Sequence, residues 1–146
     1  MFSLLKDCAF SVVEPAAAAA QTELVSITVD MAGYDAICFL AFFGDVTVAS
    51  VLTLTVKSNP TDSVTGGTTE KASAAHTATA GDADSTLLIV DVLRPSQRYV
   101  FASLTRTAAD AVGNGVIAIR YNSKSLPVTQ STTHVLAVSA LGGPVG

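Results

Sequence analysis

The sequence holds few residues whose types and spacing could carry out chemistry. His76 and His134 each lack a second His, Cys or carboxylate at the spacing of metal ligands, so we expect both to be ordinary surface residues. Cys8 and Cys38 lie among apolar neighbours in predicted strands, where no nearby group would activate a thiol. We therefore expect two buried, inert thiols, with no disulfide.

One segment resembles the opening of a calcium-binding loop, because Asp82 and Asp84 are carboxylates one residue apart. The sixth position of such a loop is glycine and the twelfth is acidic, whereas Leu87 and Leu93 stand there. Two solvated loop aspartates are predicted instead. The sequence also lacks Gly-x-Ser-x-Gly, a phosphate-binding glycine loop and His-Glu-x-x-His. It predicts no enzyme, no metal site and no cofactor.

A group of arginines is the remaining polar feature. Four of the eight basic residues fall in the last two predicted strands and their approach: Arg94, Arg98, Arg106 and Arg120. They could keep strand edges soluble and pair with Asp91 or Asp110. They could equally bind an acidic surface on a partner, so all four are candidate partner-binding residues.

The elements that must position these side chains are strands. Apolar residues, many of them β-branched, alternate with polar ones at period two, which is typical of half-buried antiparallel strands. The alternation is found in four segments: 25–30, 52–57, 99–105 and, more weakly, 116–121. Residues 37–43 and 87–92 are apolar at nearly every position, which predicts central strands covered on both faces.

Two segments depart from this pattern. Residues 58–84 are rich in Ser, Thr, Gly and Ala, which predicts either a mobile loop or a poorly packed excursion with a short strand. The alanines from Ala16 to Ala20 follow a proline and could form at most a turn or two of helix, so we predict a connector there.

Composition excludes several classes of protein. In 146 residues, 49% are apolar and 14% charged, and the net charge is −4, which disfavours both disorder and a phosphate-binding surface. The longest apolar run has eight residues, 36–43, where a membrane-spanning helix needs about 20. Lys6 and Asp7 interrupt any signal-peptide core, so we expect a protein made in a reducing cytoplasm.

Together these features predict an all-β fold: a single antiparallel β-sandwich or jelly-roll-like domain with extended terminal arms. We expect an N-terminal arm or first strand with an Ala-rich connector over 1–22, the sandwich core over 23–128 and a C-terminal arm over 129–146. Residues 135–141 are apolar yet lie beyond the compact pattern. We therefore expect a partner contact at Val135, Leu136, Val138 and Leu141.

An ordered set of short motifs resembles a known group of proteins. The order begins with Asp30-Met31-Ala32-Gly33-Tyr34-Asp35-Ala36-Ile37 and an apolar strand ending in Phe43-Gly44. It continues through Leu52-Thr53-Leu54-Thr55-Val56, Arg98-Tyr99-Val100, Leu104-Thr105-Arg106 and an Ala118-Ile119-x-x-Asn122 strand to Leu126-Pro127-Val128. This order is similar to that of small β-rich virion proteins of tailed bacteriophages, over about 22–128. Phe101 stands where a basic residue is common in that group.

The resemblance implies a capsid decoration (cement) protein, which binds the outside of a phage capsid and stabilises the lattice of the major capsid protein. The implied partners are the major capsid protein and copies of the chain itself, as dimer or trimer, with no nucleic acid and no membrane. The implied location is the capsid surface of the virion, after synthesis in the host bacterial cytoplasm.

Two other functions fit parts of the same sequence. A tail, connector or baseplate component of such a virion would share the composition and the sandwich. A carbohydrate-binding module is a weaker alternative, since those modules usually display aromatic platforms and this chain has no Trp and three Tyr.

Overall fold

A computed structural model describes residues 2–80 and 84–131 of the chain. In these ranges a short helix, α1 (Leu4–Asp7), is followed by strands. Their bounds are β1 (Ala9–Glu14), β2 (Ala17–Ala20), β3 (Leu24–Val25), β4 (Val29–Asp30), β5 (Tyr34–Val46), β6 (Val51–Asn59), β7 (Thr68–Ala72), β8 (His76–Thr77), β9 (Leu87–Leu93), β10 (Tyr99–Thr107) and β11 (Ala111–Ser123).

The strands form two antiparallel sheets that pack against each other. In sheet A the strand order is β1-β11-β5-β9, and β2 pairs with the beginning of β11. In sheet B the order is β3-β10-β6-β7, with β4 added to β10 and β8 to β6. The predicted all-β antiparallel sandwich is confirmed.

The core between the sheets is made by the inward side chains of alternating residues. From sheet A these include Ile37, Phe39, Ala41 and Phe43; from sheet B they include Leu52, Leu54, Val56, Val100 and Leu104, and all are buried. Burying one large side chain of this kind contributes about 1.5–3 kcal/mol relative to leaving it exposed. The predicted strands 52–57 and 99–105 are confirmed as parts of β6 and β10, which pair from Val51↔Thr107 to Asn59↔Tyr99.

One of the two strands predicted to be central lies at the edge of its sheet. The apolar run 37–43 is in β5, inside sheet A as predicted, but it is covered on one face only, since Phe42 is exposed and Leu40 half-buried. β9 is an edge strand of that sheet. Leu87, Ile89 and Leu93 of β9 are exposed, so the prediction that this strand is covered on both faces is wrong. An apolar run predicts a strand, but whether a second layer covers it depends on the rest of the fold.

The predicted strand over residues 25–30 is interrupted between β3 and β4, and the exposure pattern is inverted at Ser26 and Ile27, while Val29 is buried as predicted. Ser26 is buried, while Ile27 is 64% exposed. The reason is that the Ser26 side chain bonds to β10 in the gap between β3 and β4, where Ser26 Oγ accepts a hydrogen bond from Ala102 N at 2.9 Å. Ile27 N donates instead to Val13 O at 3.0 Å, which links this segment to the edge of sheet A.

Two other segments are more regular than predicted. Residues 9–14 form β1, with Phe10 opposite Ile119 and Val12 opposite Ile117, and the predicted Ala-rich connector forms β2. In the 58–84 segment, the described residues form β7 and β8, both paired with β6, which matches the excursion alternative. Because both strands find partners on β6, a segment of low apolar content is held in place by backbone hydrogen bonds.

Candidate functional site

Three of the four candidate arginines lie at one end of the sandwich. A cavity of about 330 Å³ there is lined by the turn from Met31 to Asp35, by Arg94, Pro95, Gln97 and Arg98, and by Lys124. We call Arg94, Arg98, Arg120 and Lys124 the basic end. These residues come together because β4, β9 and β11 finish there, while β5 and β10 begin there.

The turn that lines this cavity is the Asp-x-x-Gly-aromatic motif of the sequence. Asp30 Oδ1 accepts a hydrogen bond from Ala32 N at 2.9 Å, and Tyr34 N donates to Met31 O at 2.9 Å. Gly33 has a φ of +85°, a backbone conformation that favours glycine. The motif is therefore a tight turn between β4 and β5.

Arg98 and Asp30 form a bidentate ion pair on this turn. Arg98 Nε donates to Asp30 Oδ1 at 2.9 Å and Nη2 donates to Oδ2 at 2.8 Å. The Arg98 guanidinium, helped by the hydrogen bond from Ala32 N, lowers the pKa of Asp30 to about 2. The predicted acidic partners have other contacts: Asp91 accepts from Tyr121 Oη, and Asp110 accepts from Gln21 Nε2.

We expect Asp30→Asn to destabilise the protein slightly at neutral pH and not at all in strong acid. A free Asp has a pKa near 3.9, so the native carboxylate stabilises the fold above that pH. Its stabilisation disappears as the pH falls through about 2. The effect is small because the pair is largely exposed and salt screens it. Asparagine keeps an acceptor for Ala32 N, so the change isolates the charge.

Thermal melting of both proteins between neutral pH and about pH 2 measures this effect. The difference in melting temperature should shrink towards acid and also shrink at high salt. A difference that is constant with pH would show that the ion pair contributes no charge-dependent stability.

Arg120 is held between the two sheets rather than projecting into solvent. Its Nη1 donates to Asp30 O at 2.8 Å, and its guanidinium stacks on the Tyr34 ring, 4.6 Å from the centroid. Arg94 and Lys124 are exposed, and Lys124 Nζ lies 3.6 Å from Asp35 Oδ1. The groups at this end that face solvent are therefore Arg94, Arg98 and Lys124.

Arg106 is not part of any exposed surface. It is 1% exposed, and its guanidinium donates to Thr22 O, Thr22 Oγ1, Ala18 O and Ala111 O. Because Ala18 and Ala111 belong to sheet A and Arg106 to sheet B, this side chain ties the two sheets together. Its burial removes Arg106 from the candidate partner surface.

A second feature of the surface was missed from the sequence: the outer face of sheet A is largely apolar, with Asp91 and its hydrogen-bond partner Tyr121 as polar exceptions. Cross-strand partners place these side chains in rows, one of which runs Val12, Ile117, Leu40 and Ile89 from β1 to β9. We define the outer face of sheet A by Phe10, Val12, Leu40, Phe42, Leu87, Ile89, Ile117 and Ile119, each of which is exposed or half-buried. The available signal was that 37–43 holds no charged residue and 87–92 holds one, Asp91.

The outer face of sheet B has the opposite character. Its central rows carry Thr53, Thr55 and Lys57 on β6, with Phe101, Ser103 and Thr105 on β10. Phe101 and Ser103 are buried, and the other side chains in these rows are polar and half-buried, which is close to the ordinary pattern of an antiparallel sheet with one face in the core. Sheet A departs from this pattern, and its outer face is a candidate interaction surface, because contiguous apolar patches are typical of such surfaces.

The remaining candidates have structural roles or lie outside the description. Cys8 is buried as predicted, whereas Cys38 is only half-buried. Burial raises the pKa of both thiols, with Asp7 adding to the effect at Cys8 and Asp91 at Cys38, which disfavours the reactive thiolate. Asp84 Oδ1 accepts a hydrogen bond from Val46 N at 2.9 Å. Asp82, His134, Val135, Leu136, Val138 and Leu141 lie outside the described residues.

Two searches of the described part of the chain gave negative results. Across residues 2–80 and 84–131, no three His, Cys, Asp or Glu side chains are grouped so that they could hold a metal ion. In the same ranges, no helix has the length and apolar character to cross a membrane.

Comparison with known proteins gives no assignment. No protein-family model matches the chain, and no curated protein matches it. The candidate surfaces therefore rest on the geometry of this chain alone.

Proposed function

We propose that this chain is a structural protein of a tailed-phage virion, a decoration protein that binds the outside of the capsid and stabilises the lattice of the major capsid protein. The ordered motifs between Asp30 and Val128 support the class of protein. The apolar outer face of sheet A supports the mode of attachment, and it is the observation that carries the proposal.

The outer face suits binding by surface rather than by pocket. Interfaces between proteins are built around an apolar centre with a polar rim. On this face Phe42, Leu87 and Ile89 are exposed near the edge, while Leu40 and Ile117 are half-buried in the middle rows. A flat apolar centre of this kind can make a modest contact that is repeated at every equivalent position of a symmetric shell.

The basic end provides a second, electrostatic contact. Its three solvent-facing cations, Arg94, Arg98 and Lys124, outnumber the neighbouring Asp30 and Asp35, although the whole chain has a net charge of −4. Such an asymmetry orients a protein on an acidic partner more than it adds affinity. We assign the basic end to recognition of an acidic patch on the capsid, and the outer face of sheet A to most of the binding energy.

We expect Ile89→Glu to abolish attachment to purified phage particles that lack this protein. Ile89 is 54% exposed on β9, so a charge there leaves the fold intact but must be desolvated in the contact. Binding should weaken at least about tenfold, the effect of roughly 1.4 kcal/mol. Co-sedimentation of labelled protein with the particles measures the change.

Val48→Glu is the matched control, because Val48 has the same exposure of 54% but lies in the turn between β5 and β6. It should bind like the unmodified protein. If Ile89→Glu and Val48→Glu bind equally well, the outer face of sheet A is not the attachment surface. If the unmodified protein co-sediments with tails and not with heads, it is a tail, connector or baseplate component.

A further inference from the structure

The free edge of β9 lacks the devices that protect the other strand edges of the fold. A strand edge presents unpaired N–H and C=O groups, which proteins usually guard with charged residues, prolines, bulges or very short strands. β2, β3, β4 and β8 have two to four residues each, and β7 carries Glu70 and Lys71. β1 contains a bulge, and its Val13 O accepts a hydrogen bond from Ile27 N. β9 has seven residues, no proline and no bulge in its register, and its one charge is Asp91.

The hydrogen bonds at the two ends of β9 show which of its backbone groups point away from β5. Phe43 N donates to Thr86 O at 2.9 Å, before the strand begins. Arg94 N donates to Asp35 O at 2.7 Å, just after it ends. Since bonded and non-bonded pairs alternate in an antiparallel ladder, the even-numbered residues bond to β5 and the odd-numbered ones direct N–H and C=O to the free edge. Among the described residues, β5 is the only strand to which β9 is hydrogen-bonded.

The side chains of β9 alternate with the same period between the two faces of sheet A. Leu87, Ile89 and Leu93 are exposed on the outer face, whereas Val90 and Val92 are buried in the core. A strand added at this edge would extend the apolar outer face on one side and the core on the other. The edge is therefore suited to a strand that is apolar on both faces, and β9 itself has that composition.

The sequence of β9 is also nearly symmetric about its central residue, since it reads Leu-Leu-Ile-Val-Asp-Val-Leu. An antiparallel copy centred on Val90 places Leu87 opposite Leu93 of the second copy. It places Ile89 opposite Asp91 of the second copy, and the bonding groups match because both members of each pair are odd-numbered. The two Asp91 residues then occupy diagonal positions about 7–8 Å apart, so neither directly faces a like charge.

We propose that a second copy of this chain binds the free edge of β9 through its own β9, paired antiparallel about a two-fold axis at Val90. This is strand addition to an exposed sheet edge, with the same surface used by both copies. Leu88, which is half-buried, packs against Val92 of the second copy. Sheet A continues from one copy into the other, and the two outer faces form one surface. The proposal does not depend on the virion assignment.

Sedimentation analysis of Ile89→Pro and Ile89→Ala tests the pairing. Proline removes the Ile89 N–H, which points to the free edge and not to β5, so an edge strand should tolerate it. Alanine is the matched control, because it shortens the side chain but keeps the N–H. We expect the unmodified chain and Ile89→Ala to sediment at twice 14.9 kDa. Ile89→Pro should raise the dissociation constant of the dimer at least about tenfold, since two hydrogen bonds are lost per dimer.

Two results would overturn the proposal: an unmodified chain that is monomeric at every concentration, or a dimer that Ile89→Pro leaves intact. Circular dichroism establishes that each variant keeps its strands. A monomeric chain would mean that this edge stays free or is covered by another part of the same chain.

Disulfide trapping between two single-cysteine variants tests the register without proline. In a Cys8→Ala, Cys38→Ala background, Ile89→Cys is mixed with Asp91→Cys and the mixture is mildly oxidised. The two positions face each other in the proposed register, about 5.5 Å apart between Cα atoms, which a disulfide can span. We expect a linked dimer of the two variants, located by peptide mass mapping. Each variant alone should link far less, because its cysteines would be at the diagonal spacing; equal linking in all three samples would contradict the register.

Discussion

Replacing Arg106 with leucine should destabilise the protein by about 2–4 kcal/mol, because the buried carbonyl of Ala111 and three part-buried oxygens lose their donor. The Arg106 guanidinium supplies hydrogen bonds at 2.6–3.0 Å to Ala18 O, Ala111 O and two oxygens of Thr22. Leucine supplies none, and each acceptor left unsatisfied costs about 1–3 kcal/mol. Because these acceptors lie on sheet A and on the segment joining β2 to β3, whereas Arg106 belongs to sheet B, the change also loosens the contact between the sheets.

Urea unfolding at neutral pH measures this loss, with Arg94→Leu as the matched control. Arg94 is exposed at the basic end, so the same substitution there should change the free energy of unfolding by no more than about 0.5 kcal/mol. Arg106→Lys should fall between the two, since an ammonium group cannot reach all the acceptors of a guanidinium. Equal stability of the two leucine variants would mean that the hydrogen bonds of Arg106 contribute nothing net.

Phage particles assembled without this protein should have normal shape but release their genome at a temperature several degrees lower. The reason is mass action: a protein that binds only the intact shell stabilises that shell. Contacts that are individually modest become effective when they are repeated around a closed symmetric lattice. Genome release can be followed with a dye that fluoresces on free DNA.

Particles that form no tails, or that are as heat-stable as normal ones but cannot adsorb to cells, would contradict this prediction. They would point to a tail or baseplate role.

The fold class could be predicted from sequence because period-two alternation reports directly on strands. In β6 and β10, residues such as Leu54 and Leu104 alternate with Thr and Ser, and both strands lie where the pattern indicated. The position of a strand within a sheet is not encoded in this way. For this reason β9 was predicted to be central, although it is an edge strand.

The candidate site was predictable only in part. The arginine cluster indicated a functional end of the molecule, and Arg94 and Arg98 lie there, but residue type could not show that Arg106 is buried. The ion pair between Arg98 and Asp30 joins residues 68 positions apart, so no local pattern predicts it. The apolar outer face of sheet A exists because side chains from four strands share it, and only the strand pairing brings them together.

The central claim is that the outer face of sheet A attaches this protein to a capsid, and a heat-release measurement with added protein tests it most directly. Purified particles lacking the protein are mixed with the unmodified chain, with Ile89→Glu or with Val48→Glu, and the temperature of genome release is recorded. We predict that the unmodified chain and Val48→Glu restore the normal temperature, while Ile89→Glu does not. Full restoration by Ile89→Glu, or no effect of the unmodified chain, would contradict the claim.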